Sequence, residues 1–338
     1  MSVTIKDIAK QVGVSPSTVS RVINGTASIK EETKQKIYEA MKELDYHANS
    51  QARNLANGST RAIGMVIDAE DENTFSNAFF NRSVFAIERV AQANGYNLII
   101  ANNRDHASER LILERQVDGI ILPSSCETEK IASEICQDHF PYIILGEPVK
   151  NKEKRNWIDI NNRLGGKQAA VHLIEQGYQR IAMVLENQDT LFIKNRIRGY
   201  QEGLKAAAGD HYYEKIIMAG EDAGNAYSII KELMGEVNCP DAFLCGNNQV
   251  AYHTLRALKE IGKKVPQEIG IITFDNYPIA EYMDPPLTIV DVDTFTLGEK
   301  AAENLISKIK RQEMGNQQTV IATKLIIRES TTRRKKDA

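Results

Sequence analysis

The 338-residue sequence contains no apolar run near the roughly 18 residues that a membrane-crossing helix needs. Residues 1–7 carry neither the basic region nor the apolar stretch of a secretion signal, so a cytoplasmic protein is expected. Cysteine is scarce. Cys126, Cys136, Cys239 and Cys245 show no CxxC or zinc-ligand spacing, and all but Cys136 fall in or beside strand-like runs, which suggests buried, reduced thiols. The six histidines are scattered and form no HExxH pair, so neither a metal nor another cofactor is expected. There is no GxSxG elbow, no P-loop and no GxGxxG after the first strand. Asp68 and Asp275 have no spacing that would define an acid–base couple, so the chain does not read as an enzyme.

What is present is the composition of an ordinary globular protein, 42% hydrophobic and 26% charged. The length suits two or three domains. The net charge of −3 hides an asymmetry. Residues 1–60 hold eight Lys/Arg against six Asp/Glu, whereas residues 61–338 hold 34 against 39. Several of the early cations are bunched on polar helix faces, a pattern that suits nucleic acid.

The first sixty residues read as helices. Thr4 and Asp7 form an approximate capping box, and Ile8, Ala9 and Val12 recur at helical spacing before Gly13 offers a turn. Ser15 as N-cap and Pro16 at the first helical position start a second helix, with Val19, Val22 and Ile23 on one face. Its other face carries Ser17, Thr18, Ser20 and Arg21, and Asn24-Gly25 ends it. Ser28 and Glu31 read as a capping box for a third helix, with Ile37, Ala40, Met41 and Leu44 turned inward. Two short helices joined by a Gly-containing turn, then a third, is the helix-turn-helix arrangement. Small hydrogen-bonding residues on the second helix let the backbone approach a major groove, and Arg21 can fork onto a guanine. A three-helix bundle that merely packs would carry a Glu/Lys mixture there instead.

The run Thr4-Ile-Lys-Asp-Ile-Ala-Lys-Gln-Val-Gly-Val-Ser-Pro-Ser-Thr-Val-Ser-Arg-Val-Ile-Asn24 resembles the N-terminal signature of the lactose/galactose repressor (LacI/GalR) family. The resemblance implies that Pro16 and Ser17 face bases, that Arg21 contacts a base, and that Thr4, Ser15, Ser20 and Asn24 hold phosphates. Residues 47–60 are polar and end near Gly58, so by themselves they read as a linker. The resemblance implies a hinge helix, ordered on operator DNA, that enters the minor groove. In it Leu55 would wedge between central base steps, Ala52 and Ala56 are small enough for two such helices to pack across a dyad, and Asn49 and Arg53 join the same DNA-facing set. So short a helix would not be stable alone.

From residue 61 short β-branched strands alternate with amphipathic helices. Strands are expected at 63–67, 97–101, 119–122, 142–145, 157–160, 181–185, 215–218, 242–245, 270–274 and 288–292, with a late run near 323–328. Helices are expected at 83–94, 165–176, 198–208, 226–235, 249–261 and 297–312. This alternation means parallel sheets covered on both faces. A weak repeat pairs Gly95-Tyr96 and Asp118 with Gly177-Tyr178 and Asp241, each before a strand, and suggests two similar lobes. The expected fold is an all-α helix-turn-helix head plus an α/β two-lobe, periplasmic-binding-protein-like domain of doubly wound parallel sheets. Its parts are a head at 1–46, a hinge at 47–60 and an effector-binding and dimerisation domain at 61–338. Lobe 1 would take about 61–161 and 292–322, and lobe 2 about 162–291 and 323–338.

Ligands of open parallel sheets lie beyond the carboxyl ends of strands. Those ends are rich in Asn, Asp and Arg, which suit the hydroxyls of a neutral polyol, while Phe79, Phe80 and Phe192 could stack on a sugar ring. The resemblance assigns Arg196, Asn247 and Asp275 to the effector and makes the segment 77–80 a cleft-lining loop. Glu147, Lys194 and Trp157 are further candidates. The stretches 191–200 and 273–287 look most like the maltose-operon branch, which points to a maltose-like α-glucoside. The reading that emerges is a homodimeric repressor of sugar-utilisation genes, bound to a pseudo-palindromic operator and released or engaged by a small sugar. The alternatives are a sugar-binding receptor and a co-repressor-dependent regulator of other metabolism.

Overall fold

The computed structural model describes residues 3–24, 29–46, 58–67, 78–103, 106–124, 130–132, 140–186, 189–209, 212–220, 222–310 and 317–333. The chain divides into two compact units, Met1–Arg61 and Ala62–Ala338. Among the described residues no helix is long and apolar enough to cross a membrane.

The first unit has three helices, α1 (Ile5–Val12), α2 (Pro16–Asn24) and α3 (Glu31–Glu43). Asp7 starts α1: its carboxylate accepts the Thr4 N–H at 2.9 Å and the Thr4 hydroxyl at 2.7 Å, and a negative charge there suits the helix dipole. Gly13 ends it in the left-handed region at φ 72°, which a residue without Cβ adopts freely, and the Val14 N–H returns to Ala9 O at 3.0 Å. Ile8, Val19 and Ile37 are fully buried and meet Ala9, Val22 and Ala40 at the centre. The expected Ser28–Glu31 capping box is not what starts α3. Its N-cap is Lys30, without a side-chain cap bond, and Ser28 lies outside the described residues. Glu31 is the first helical residue instead of the third, so its carboxylate pairs forward with Lys34 at 2.8 Å.

The second unit holds two six-stranded sheets. One contains β1 (Ala62–Ile67), β2 (Asn97–Asn102), β3 (Gly119–Pro123), β4 (Tyr142–Leu145), β5 (Trp157–Ile160) and a returning β11 (Gln318–Ile321). Its order is β11-β5-β4-β3-β1-β2 with every pairing parallel. The other contains β6 (Arg180–Leu185), β7 (Tyr213–Met218), β8 (Ala242–Cys245), β9 (Gly270–Phe274), β10 (Thr288–Asp291) and β12 (Lys324–Ile326), in the order β12-β10-β9-β8-β6-β7. All its pairings are parallel except β12, which runs antiparallel to β10. Two residues separate β12 from β11, so the chain changes sheets there without an intervening helix. Every residue of β1, β8 and β9 is buried, as both-face coverage requires.

The covering helices are α4 (Ala78–Ala93), α5 (Ala107–Leu113), α6 (Asn162–Glu175), α7 (Leu191–Ala208), α8 (Asn225–Leu233), α9 (Asn248–Glu260) and α10 (Thr294–Ile309). Helix α10 packs on α4 and on β3, β4 and β5, although it follows a strand of the other sheet. The chain thus passes between the sheets after β5, after β10 and after β11. The repeat in the sequence is half right. Strands β1 to β5 and β6 to β10 have the same spatial order, and Asp118 and Asp241 precede the equivalent strands β3 and β8. Gly95-Tyr96 and Gly177-Tyr178, however, precede β2 and β6, which are not equivalent. They share local chemistry: left-handed glycines at φ 77° and 84° close a helix, and the tyrosine after each is buried.

Candidate functional site

In the first unit, burial of Val19 and Val22 fixes which face of α2 looks outward. Ser15, Pro16, Ser17 and Arg21 are exposed, Thr18 and Ser20 partly so, and Thr4 is exposed at the start of α1. The Ser15 hydroxyl lies 2.7 Å from the Ser17 hydroxyl and 2.9 Å from that of Thr18, and accepts the Thr18 N–H at 3.2 Å. The helix start is therefore capped by a row of hydroxyls that remain at the surface. Lys6 and Lys10 are exposed on α1, and Asn24 is the last residue of α2. The hinge candidates Asn49, Ala52, Arg53, Leu55 and Ala56 lie outside the described residues.

In the second unit the candidates gather at the carboxyl ends of β6, β8 and β9. Arg196 sits inside α7, 7% exposed, with its guanidinium 4.0 Å from the centre of the Phe274 ring and 5.1 Å from that of Phe192. It donates from Nη1 to Gly246 O at 2.6 Å and from Nε to Asn162 Oδ1 at 2.9 Å, and its Nη2 lies 3.9 Å from Asp275 Oδ1. Asp275 is 8% exposed and left-handed at φ 71°, a conformation uncommon outside glycine and frequent at functional sites. Asn248 holds that turn by donating to Phe274 O at 3.0 Å and Asp275 O at 2.8 Å. Burial pushes the Asp275 carboxyl up and the Arg196 guanidinium down, and the charge of each opposes the other's shift. Asn247 plays two parts: its Oδ1 caps α9 by accepting the Val250 N–H at 3.0 Å, and its Nδ2 donates to Glu186 at 2.8 Å.

The other lobe supplies Glu147 and Asp159. Glu147 accepts from Lys152 Nζ at 2.6 Å and from Asn195 of α7 at 3.1 Å, a contact made across the two lobes. Asp159, at the end of β5, accepts the backbone N–H of Glu147 at 3.0 Å and that of Ile160 at 2.7 Å. Burial pushes its carboxyl up to about 6, against those donors. Phe80 is partly buried in the first turn of α4, packed against the core, and nothing is described of the Phe79 side chain. The expected loop at 77–80 is therefore helical from Ala78 on. Lys194 points to solvent, 2.5 Å from Asp189, and does not join the cluster. Trp157 is buried in the core of its own lobe, donating Nε1 to Lys152 O at 3.0 Å. Cys245 is buried but Cys239 is only partly so, which corrects the expectation of uniformly buried thiols.

Sequence reasoning missed Asn162 and Asp159 as members of the cluster. An Asn doublet at each of 161–162 and 247–248, just beyond a strand, was the available signal.

Residues 4–49 match the family described as bacterial regulatory proteins, lacI family, and residues 170–331 match the periplasmic binding protein-like domain. The HTH-type transcriptional regulator CelR of Thermobifida fusca is 30% identical over 335 residues, covering 97% of this chain and 98% of its own. The HTH-type transcriptional repressor PurR of Vibrio vulnificus is 30% identical over 336 residues, with the same two coverages. Among solved structures, a CelR–cellobiose complex aligns with a TM-score of 0.71 at 28% identity, over 97% of this chain and 99% of that one. The lac repressor dimer bound to operator aligns with a TM-score of 0.84 over 99% and 100% of the two chains, at 24% identity, and speaks for the fold. A probable maltose operon repressor from Staphylococcus aligns at 0.72 and 23% identity, over 82% of this chain and 99% of that one, and again supports the fold without choosing a sugar. With a helix-turn-helix head and a two-lobed domain in one chain, and relatives of this identity across its whole length, the protein belongs to the lacI family of DNA-binding transcription regulators.

Proposed function

We propose that the protein is a cytoplasmic, homodimeric repressor of sugar-utilisation genes whose hold on a pseudo-palindromic operator is set by a small sugar bound between the two lobes. The observation that carries this reading is the Arg196–Asp275 pair, buried at the strand ends beside Asn247 and Glu186 with the Phe274 and Phe192 rings near the guanidinium. Charged and amide groups held this rigidly, with flat apolar surface beside them, suit a ligand of many hydroxyls. A maltose-like α-glucoside is the favoured effector, from the likeness of residues 191–200 and 273–287 to the maltose-operon branch. The CelR–cellobiose complex favours a second reading, a β-linked disaccharide in the same cleft.

On DNA, Pro16, Ser17 and Arg21 would read base edges while Thr4, Ser15, Ser20 and Asn24 fix the phosphates, with Thr18 on the same DNA-facing side. The hinge residues Asn49, Ala52, Arg53, Leu55 and Ala56 would occupy the minor groove at the dyad. Sugar closing the cleft would move the first lobes across the dimer and separate the hinges. A coupling of about 1–3 kcal/mol per site is enough to change occupancy. The test is a gel shift on a palindromic promoter fragment, titrated with maltose and with cellobiose. Leu55→Ala is expected to weaken the shift by about 1–3 kcal/mol and leave sugar affinity nearly intact. Asp275→Ala should give a complex that sugar no longer releases. Equal loss of DNA and sugar binding in the first variant, or retained release in the second, contradicts the assignment.

A further inference from the structure

The charges at the cleft differ in how far they are already answered. Arg196 is spent on Gly246 O, Asn162 and Asp275, and Lys152 sits on Glu147 at 2.6 Å. One carboxylate oxygen is not answered by a hydrogen bond. Asp275 Oδ1 is buried without a hydrogen-bond partner, although Asp275 is only 8% exposed. Asp275 lines a small crevice with Arg82 and Asp291, so a second carboxylate faces the same space. Arg82, an exposed cation, lines the same crevice beside the two carboxylates. From the other lobe Asp159 adds a third carboxylate, tied at 3.0 Å to the backbone N–H of Glu147, whose side chain reaches Asn195 beside Arg196.

We propose that Asp159, Asp275 and Asp291 make this cleft selective by charge: it takes a neutral polyhydroxylated ligand and rejects the phosphorylated or uronic form of the same molecule. The proposal rests on the sugar reading and narrows it. Hydroxyls donate to carboxylates in short, charge-assisted bonds, and a ligand hydroxyl would satisfy the orphaned Asp275 Oδ1. A phosphoryl group offers that oxygen no donor when fully ionised. It brings further negative charge beside Asp275 and Asp291, where the buried cation, Arg196, already has partners. Asp159 and Asp291 act in this scheme as specificity determinants.

The experiment compares matched pairs on the full-length protein by thermal shift and calorimetry. The pairs are maltose and maltose 6′-phosphate, cellobiose and cellobiose 6-phosphate, glucose and glucuronate, and adenosine and adenosine monophosphate. The neutral member of at least one pair is expected to bind at least about tenfold more tightly than its charged partner, a difference of about 1.4 kcal/mol. Asp291→Asn, which removes one carboxylate from the crevice that Arg82 also lines, should narrow that ratio, as should Asp159→Asn. If either variant unfolds, the wild-type ratio still decides. Tighter binding of a charged member overturns the proposal, and so does a ratio unmoved by both substitutions in folded protein. Binding of adenosine but no sugar removes the sugar reading and leaves charge selection standing. Binding of no neutral member removes both.

Discussion

Asp159 and Asp275 carry the same group in two settings. Asp275 is held left-handed by Asn248 and faces a guanidinium, while Asp159 is tied to two backbone N–H groups at the end of a strand. Both lose solvation, and in Asp159 the loss outweighs the donors, so its carboxyl rises from the usual 3.8 to about 6. The charged neighbours in this balance are Glu147, which raises it, and Arg196, which lowers it. The consequence for stability has a definite sign. Between about pH 4 and 6 the native carboxyl keeps a proton that the unfolded chain has released, so this group's contribution falls as pH rises through that window and is constant above it. The swing is at most about 3 kcal/mol. Urea melts of the wild type and Asp159→Asn at pH 4, 5, 6 and 7 should show their difference drifting across that window. A flat difference would mean that the carboxyl titrates normally. Nothing in the sequence distinguishes Asp159 from Asp118 or Asp241, because its environment is made by Glu147 and Arg196, distant in the chain.

At the scale of elements, the decisive contact is the crossing of α6 and α7. A Cβ on Gly199 would lie 1.9 Å from Arg163 O, and one on Gly166 would lie 2.3 Å from Arg196 O. These glycines let two backbones touch, and that touch sets the depth at which Arg196 enters the cluster. Gly199→Ala should therefore cost about 3 kcal/mol of stability, since the opposing atom is backbone and cannot swing aside. It should also weaken effector binding through Arg196. Chemical denaturation and a sugar titration of the variant check both, and unchanged stability would show that the helices can separate freely. The same region shows why element boundaries misread. Periodicity predicts a helix from 198, whereas α7 begins at Leu191. Arg196 is a charged residue on the buried face, so it breaks the apolar pattern exactly where function needs it. Strand β11 is missed for another reason: it is four residues at a sheet edge, with alternating exposure and little apolar signal.

For the whole molecule, the compact units Met1–Arg61 and Ala62–Ala338 have separate cores, one around Ile8, Val19 and Ile37 and the others in the second unit, where one cluster takes residues from both sheets. A fragment beginning at Ala62 should fold, keep the thermal shift produced by the effector and lose DNA binding. Loss of the sugar response in a folded fragment would place part of the sensor in the head. The amino-acid order alone determined the helix-turn-helix face and the α/β alternation, because caps, turns and periodicity act over a few residues. It also marked Arg196, Asn247 and Asp275 through resemblance. Tertiary structure alone decided which strand ran antiparallel and that Asp275 Oδ1 was left without a hydrogen-bond partner. Each of those outcomes depends on desolvation and on contacts between residues far apart in the chain, and local sequence carries no record of either.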